Sequence, residues 1–154
     1  GPMIEKHDYL QDFSMNTPFD MAKTMAVYSA FTEGVQLFSS FAILLNYPRH
    51  NLMKGMGQIV TWSIRDESIH VEGNSKLFKA FCKEHSRIVD EEFKKDIYQI
   101  SRNIVDLEDK FVDLAYEMGN IEGLEKSEVK EYIRCLYCEY IYYLWKSNSR
   151  RKYF

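Results

Sequence analysis

Glu67-Ser68-Ile69-His70 places a carboxylate and an imidazole three residues apart, and Glu33 stands upstream of them in an apolar stretch. On a helix that spacing puts Glu67 and His70 on one side, where they can grip one cation or two adjacent ones. A four-helix dimetal carboxylate site takes a Glu from each of two helices and a Glu-x-x-His from each of two others, all pointing inward. One of each is present in this chain, so the sequence carries half a ligand set. Carboxylate with imidazole suits iron or manganese, ions whose open coordination positions bind dioxygen. Asp66 lies beside the motif and is placed to orient an imidazole from outside the ligand set.

The competing reading is a solvated helix face, since Glu-x-x-His also occurs by chance on surfaces. Glu67 and His70 would then be an exposed pair, and Glu33 a partly exposed glutamate beside Gly34. Three features favour the metal. Both ligand groups lie in long helical stretches, their faces are otherwise apolar or small, and the two helices are consecutive. Ala26, Ser29, Leu37, Ser40 and Leu44 share the face of Glu33 by helical steps, and Ile59, Ser63 and Asn74 flank Glu67 and His70. A carboxylate on such a face needs a compensating charge, because burying it alone costs several kcal/mol, of order 2–7 even for a neutral polar group.

The elements that must hold these residues are helical. Only 7 Gly and 3 Pro interrupt 154 residues, and apolar positions recur at helical spacing, which predicts an all-α chain. A short helix is expected over 4–13. Thr17 caps a second at Pro18, which runs to about Asn46 and stops at Tyr47-Pro48, because proline disfavours helical geometry in the residue before it. Further helices are expected over 51–83, 87–118 and 127–147, with Gly119-Asn120 and Gly123 between the last two. Short connections make neighbours antiparallel, giving about four long helices in one domain. Residues 3–17 form an amino-terminal segment, 18–147 the bundle and 148–154 a polar tail. Gly1-Pro2 before Met3 reads as a tag-cleavage scar.

Composition narrows the function classes. The 23 acidic and 20 basic residues are interspersed, leaving no basic stripe for nucleic acid. No run of about 18 apolar residues could span a bilayer. Cys82, Cys135 and Cys138 suggest no disulfide framework and fit a reducing cytoplasm. Cys135-Leu-Tyr-Cys138 formally reads Cys-x-x-Cys, but in its aromatic-rich helical setting these are expected to be buried thiols. His7, His50 and His85 read as surface residues, and Met21, Met25, Met53 and Met56 as fillers of core or interface gaps.

The run from Phe31 to Phe41, then Met53-Lys-Gly-Met-Gly57, Arg65-Asp-Glu-Ser-Ile-His70, Leu107-Glu-Asp-Lys-Phe-Val-Asp113, Gly119-Asn-Ile-Glu-Gly123 and Glu131-Tyr-Ile-Arg134, resembles the small, radical-generating subunit of class I ribonucleotide reductase over about residues 18–134. That resemblance implies a ferritin-like bundle. It matches Glu33, Glu67 and His70 to the carboxyl-terminal half of the family's dimetal ligands, and Asp66 to an aspartate in its proposed electron-transfer route. The other half-site, an Asp or Glu and a second Glu-x-x-His, would lie upstream, together with the family's radical tyrosine. The offset from His70 that corresponds to that tyrosine holds Asn74. After Arg134 the chain departs from the family pattern and ends without its tail tyrosine, Tyr153 being a poor substitute, which suggests a truncated or frame-shifted natural gene.

The expectation is therefore a homodimer in which two copies of Glu33, Glu67 and His70 rebuild a dimetal centre. It would hold two iron ions, or manganese and iron, activate dioxygen in the cytoplasm, and work with a ribonucleotide reductase large subunit in deoxyribonucleotide synthesis. Without the usual tyrosine, enzymatic activity stays open. Two alternatives stand beside it: a split subunit completed by a separate amino-terminal half, and a metal-free helical remnant or interaction module.

Overall fold

The computed structural model describes residues 1–145, and the regular elements among them are all helical. Helix α1 spans Pro2–Gln11 and α2 spans Pro18–Ala26. A π-helical segment, Val27–Gln36, follows without a break and leads into α3, Leu37–Arg49. Then come α4, Lys54–Glu84, a short 3-10 turn at Ser86–Ile88, α5, Glu91–Ala115, and α6, Lys126–Trp145. Among the described residues no helix is long and apolar enough to cross a membrane. The expected end of the last helix at Ser147, and the tail 148–154 with Tyr153, lie outside the described residues.

Local chemistry explains the starts. The Thr17 hydroxyl oxygen accepts from the Asp20 backbone N–H at 3.1 Å while its O–H donates to the Asp20 carboxylate at 2.8 Å, and Pro18 supplies a preset first helical residue. Asp90 caps α5 by accepting from the Phe93 N–H at 2.8 Å. The opening helix lies two residues earlier than expected, with Pro2 in its first turn. The stop expected at Tyr47-Pro48 is also displaced: α3 continues to Arg49 with Pro48 inside its last turn. There the missing N–H costs little, and the ring packs on Gly57 of α4, where a Cβ would collide with it. The helix expected over 87–118 is shorter at both ends, because the 3-10 turn occupies residues 86–88 and Tyr116 ends α5.

The core lies where the π segment, α4, α5 and α6 meet, around Phe31, Val35, Val71, Phe78, Ile97, Ile104, Ile133 and Tyr140. Glu108 sits within it, its side chain fully buried, ion-paired with Lys6 of α1 and accepting from the Ser39 hydroxyl at 2.5 Å. Helix α1 buries none of its own residues. It is held by Tyr9 and Leu10 packing against the core and by polar contacts to α5: that pair, Lys110 to Glu5 at 2.6 Å, and Asn103 Nδ2 to the Tyr9 hydroxyl at 3.2 Å.

Burial raises the Glu108 carboxyl above its ordinary range, and Lys6 and then Ser39 pull it back. The folded protein therefore holds this proton to higher pH than the unfolded chain, so the cost of the buried charge, present at neutral pH, is relieved as pH falls through the raised value. Lys6→Met leaves the charge unpaired and is expected to lose about 3–5 kcal/mol at pH 7 in urea unfolding of chelator-treated protein. Part of that loss should return at pH 5. An equal loss at both pH values would mean that Glu108 is not the group left unpaired.

Candidate metal centre

Glu33 comes from the π segment, and Glu67 and His70 from α4, two elements that pack side by side. A π-helix turns through more residues than an α-helix, and such widened turns gather at functional sites. Seven of its ten residues are buried, Glu33 is half-buried, and Gly34 gives the turn room to lie against the Tyr140 ring. A Cβ on Gly34 would come within 2.7 Å of that ring. The close approach to α6 thus fixes the position of Glu33 from behind.

One ligand atom from each of Glu33, Glu67 and His70 can be chosen so that all three lie within 4.8 Å of one another. His70 Nδ1 lies 3.3 Å from Glu67 Oε2, with the imidazole 56% and the carboxylate 23% exposed. Asn74, one turn beyond His70, donates from Nδ2 to Glu33 Oε2 at 3.0 Å. Neither carboxylate has a Lys or Arg ion-pair partner among the described residues. Two carboxylates thus converge with only an imidazole and an amide beside them among the described residues, an arrangement whose charge a divalent cation would balance. The donor set, oxygen with imidazole nitrogen and no thiolate, fits iron or manganese. Among the described residues no other cluster of three or more such side chains exists.

Other expected residues fall differently. Asp66 is exposed and makes no side-chain hydrogen bond or ion pair among the described residues, His70 included. His7 and His50 are exposed, but His85 is half-buried with its ring centroid 4.4 Å from that of Phe81. Cys135 and Cys138 are exposed rather than buried. Val129, Ile133, Leu136, Tyr140 and Leu144 take the core side of α6, and the helical step turns both thiols away from it. Met53, 58% exposed, fills no gap in the chain's own core.

Two contributors escape a motif search. Asn74 supplies the only hydrogen bond to Glu33 among the described residues, and its signal was its place one turn after the motif. An apolar pocket opens beside it, lined by Met21, Met25, Tyr28, Ser29, Asn74 and Leu77 among others. Tyr28 lines the same pocket, its hydroxyl donating to the Leu10 carbonyl at 3.2 Å.

The family model described as ribonucleotide reductase, small chain, matches residues 2–138. The chain is 48% identical over 118 residues to a protein of Invertebrate iridescent virus 3 named as a ribonucleoside-diphosphate reductase small subunit, covering 75% of this chain and 31% of that one. It is 28% identical over 112 residues to the ribonucleoside-diphosphate reductase subunit beta of Chlamydia pneumoniae, covering 73% and 32%. The chain thus spans about a third of the length of these relatives. A crystal structure from Bacillus halodurans, described as a class I ribonucleotide reductase, superposes with a TM-score of 0.85 at 23% identity, over 93% of this chain and 52% of that one. The architecture is accordingly a ferritin-like helical fold.

Asn74→Ala is expected to free Glu33 and weaken Fe(II) or Mn(II) binding by about 10–100-fold, the usual effect of losing a partner behind a ligand, in a competition titration against a chelator. Gly34→Ala forces the Tyr140 ring aside and should cost about 1–3 kcal/mol in urea unfolding. Unchanged stability in that variant would show that Tyr140 yields freely.

Proposed function

We infer that this chain, which belongs to the ribonucleotide reductase small-chain family, is a dimetal-binding, oxygen-activating protein whose centre is assembled from two copies of one half-site. The observation that carries this is the convergence of Glu33, Glu67 and His70 without a balancing Lys or Arg. Three ligands per chain leave a pair of ions half coordinated, and a two-fold interface doubles every residue it contains. Two copies then offer six ligands, the number in a four-helix dimetal site. The exposed imidazole of His70 and the large exposed apolar residues of α4, Trp62 and Ile69 at 61% each and Ile59 at 60%, support a partner on this side.

Iron or manganese held there would supply the electrons for reducing dioxygen. The residues themselves have separable tasks. Glu33 and Glu67 contribute charge and anchor the site. His70 contributes a neutral nitrogen, and Asn74 restrains one Glu33 oxygen and so selects how that carboxylate can bind. The apolar pocket beside Asn74 suits entry of a small apolar molecule such as dioxygen. Asp66, exposed beside the motif, is available to an imidazole of the other copy. A large subunit as partner, a role in deoxyribonucleotide synthesis and a cytoplasmic setting, which three free thiols fit, extend the same proposal.

A split subunit is the second reading. The Bacillus halodurans chain has nearly as much polypeptide again beyond the region matched here, and a separate chain of that kind would complete the ligand set as well as a second copy does.

Metal content separates these. Chelator-stripped protein reloaded anaerobically with Fe(II) or Mn(II) and desalted should retain about one ion per chain. Glu67→Ala and His70→Ala should each reduce retention to background while leaving the helical circular dichroism signal intact. Full retention in either variant removes the proposed site, and retention only on mixing with a second polypeptide favours the split subunit.

A further inference from the structure

We propose that Cys135 and Cys138 form a second metal site, a two-thiolate seat for one Cu(I) ion on the outer face of α6. Both thiols are exposed and free, and they stand three residues apart within the helix Lys126–Trp145. Side chains at that spacing face the same way, with Cβ atoms about 5–6 Å apart. A disulfide needs Cβ atoms at about 3.8 Å, so closing one here would distort the helix. A cation between the sulfurs has no such difficulty. Metal–thiolate bonds are about 2.3 Å, and two of them in line reach across the available gap.

The number of ligands selects the ion. Neither thiol belongs to a cluster of three or more candidate ligands among the described residues, so the pair cannot furnish the four-fold shell that structural zinc requires. Thiolates select soft ions, Cu(I) among them, and a monovalent soft ion is satisfied by two. Binding releases two thiol protons to solvent and changes no oxidation state. The third cysteine supplies the contrast: Cys82 is half-buried, and burial pushes its thiol up to about 11, which keeps it protonated and poor as a ligand. The ligand chemistry also separates this site from the centre at Glu33, Glu67 and His70, which carries no sulfur.

The test is anaerobic titration of the full chain with Cu(I), competed against bicinchoninate, using wild-type protein and Cys82→Ser, Cys135→Ser and Cys138→Ser variants. Both α6 positions are exposed, so serine there should leave the fold intact. Wild type and Cys82→Ser should hold one tightly bound Cu(I). Each α6 variant should lose more than about 100-fold in affinity, exceeding the loss that follows removal of a mere ligand-orienting group. A Glu67→Ala, His70→Ala double variant should bind Cu(I) as wild type does. Equal affinity in wild type and in a Cys135→Ser, Cys138→Ser double variant, or loss of the ion in the Glu67→Ala, His70→Ala protein, overturns the proposal.

Discussion

Two carboxylates and an imidazole brought together without a cationic side chain among the described residues form the interaction on which the proposed centre depends. Like charges brought close together repel unless a cation lies between them. The three groups meet where the π segment packs on α4, the contact that also assembles the core around Phe31, Val35 and Val71. Fold and site are therefore coupled. Whatever stabilises that contact also brings Glu33, Glu67 and His70 together.

The surrounding structure is consistent with that demand. Gly34 lets the widened turn rest on Tyr140, so the carboxylate one residue earlier is set by packing rather than by its own flexible stem. Asn74 ties one Glu33 oxygen to α4. The fully buried carboxylate, Glu108, receives a different solution: Lys6 from α1 and the Ser39 hydroxyl satisfy it directly. The difference is informative. At Glu33 and Glu67 no Lys or Arg among the described residues plays that part.

Much of this was legible in residue order. The Thr17-Pro18 cap, the scarcity of glycine and proline, and the three-residue step from Glu67 to His70 follow from local geometry, and the structure reproduces each. The π segment was not legible, because shifting helical hydrogen bonds by one residue leaves no mark on composition, and apolar residues fill either helix equally well. The Asn74–Glu33 bond and the Lys6–Glu108 pair join residues far apart in sequence, so only packing reveals them. The exposure of Cys135 and Cys138 was available from the spacing of Val129, Ile133, Leu136, Tyr140 and Leu144, but the many aromatics of α6 concealed which side was apolar. Pro48 shows a local rule yielding to context, since the last turn of a helix can accept a proline that its middle cannot.

In the proposed reading a shared centre would make metal binding and self-association a single event, because Glu33, Glu67 and His70 of one chain would leave a pair of ions half coordinated. Native mass spectrometry of the protein during stepwise addition of Fe(II) reads both at once. The expected species is a dimer carrying two ions, with metal-free protein alone in the monomer peak. A monomer that loads metal fully, or a dimer that loads none, would contradict a centre built from two copies.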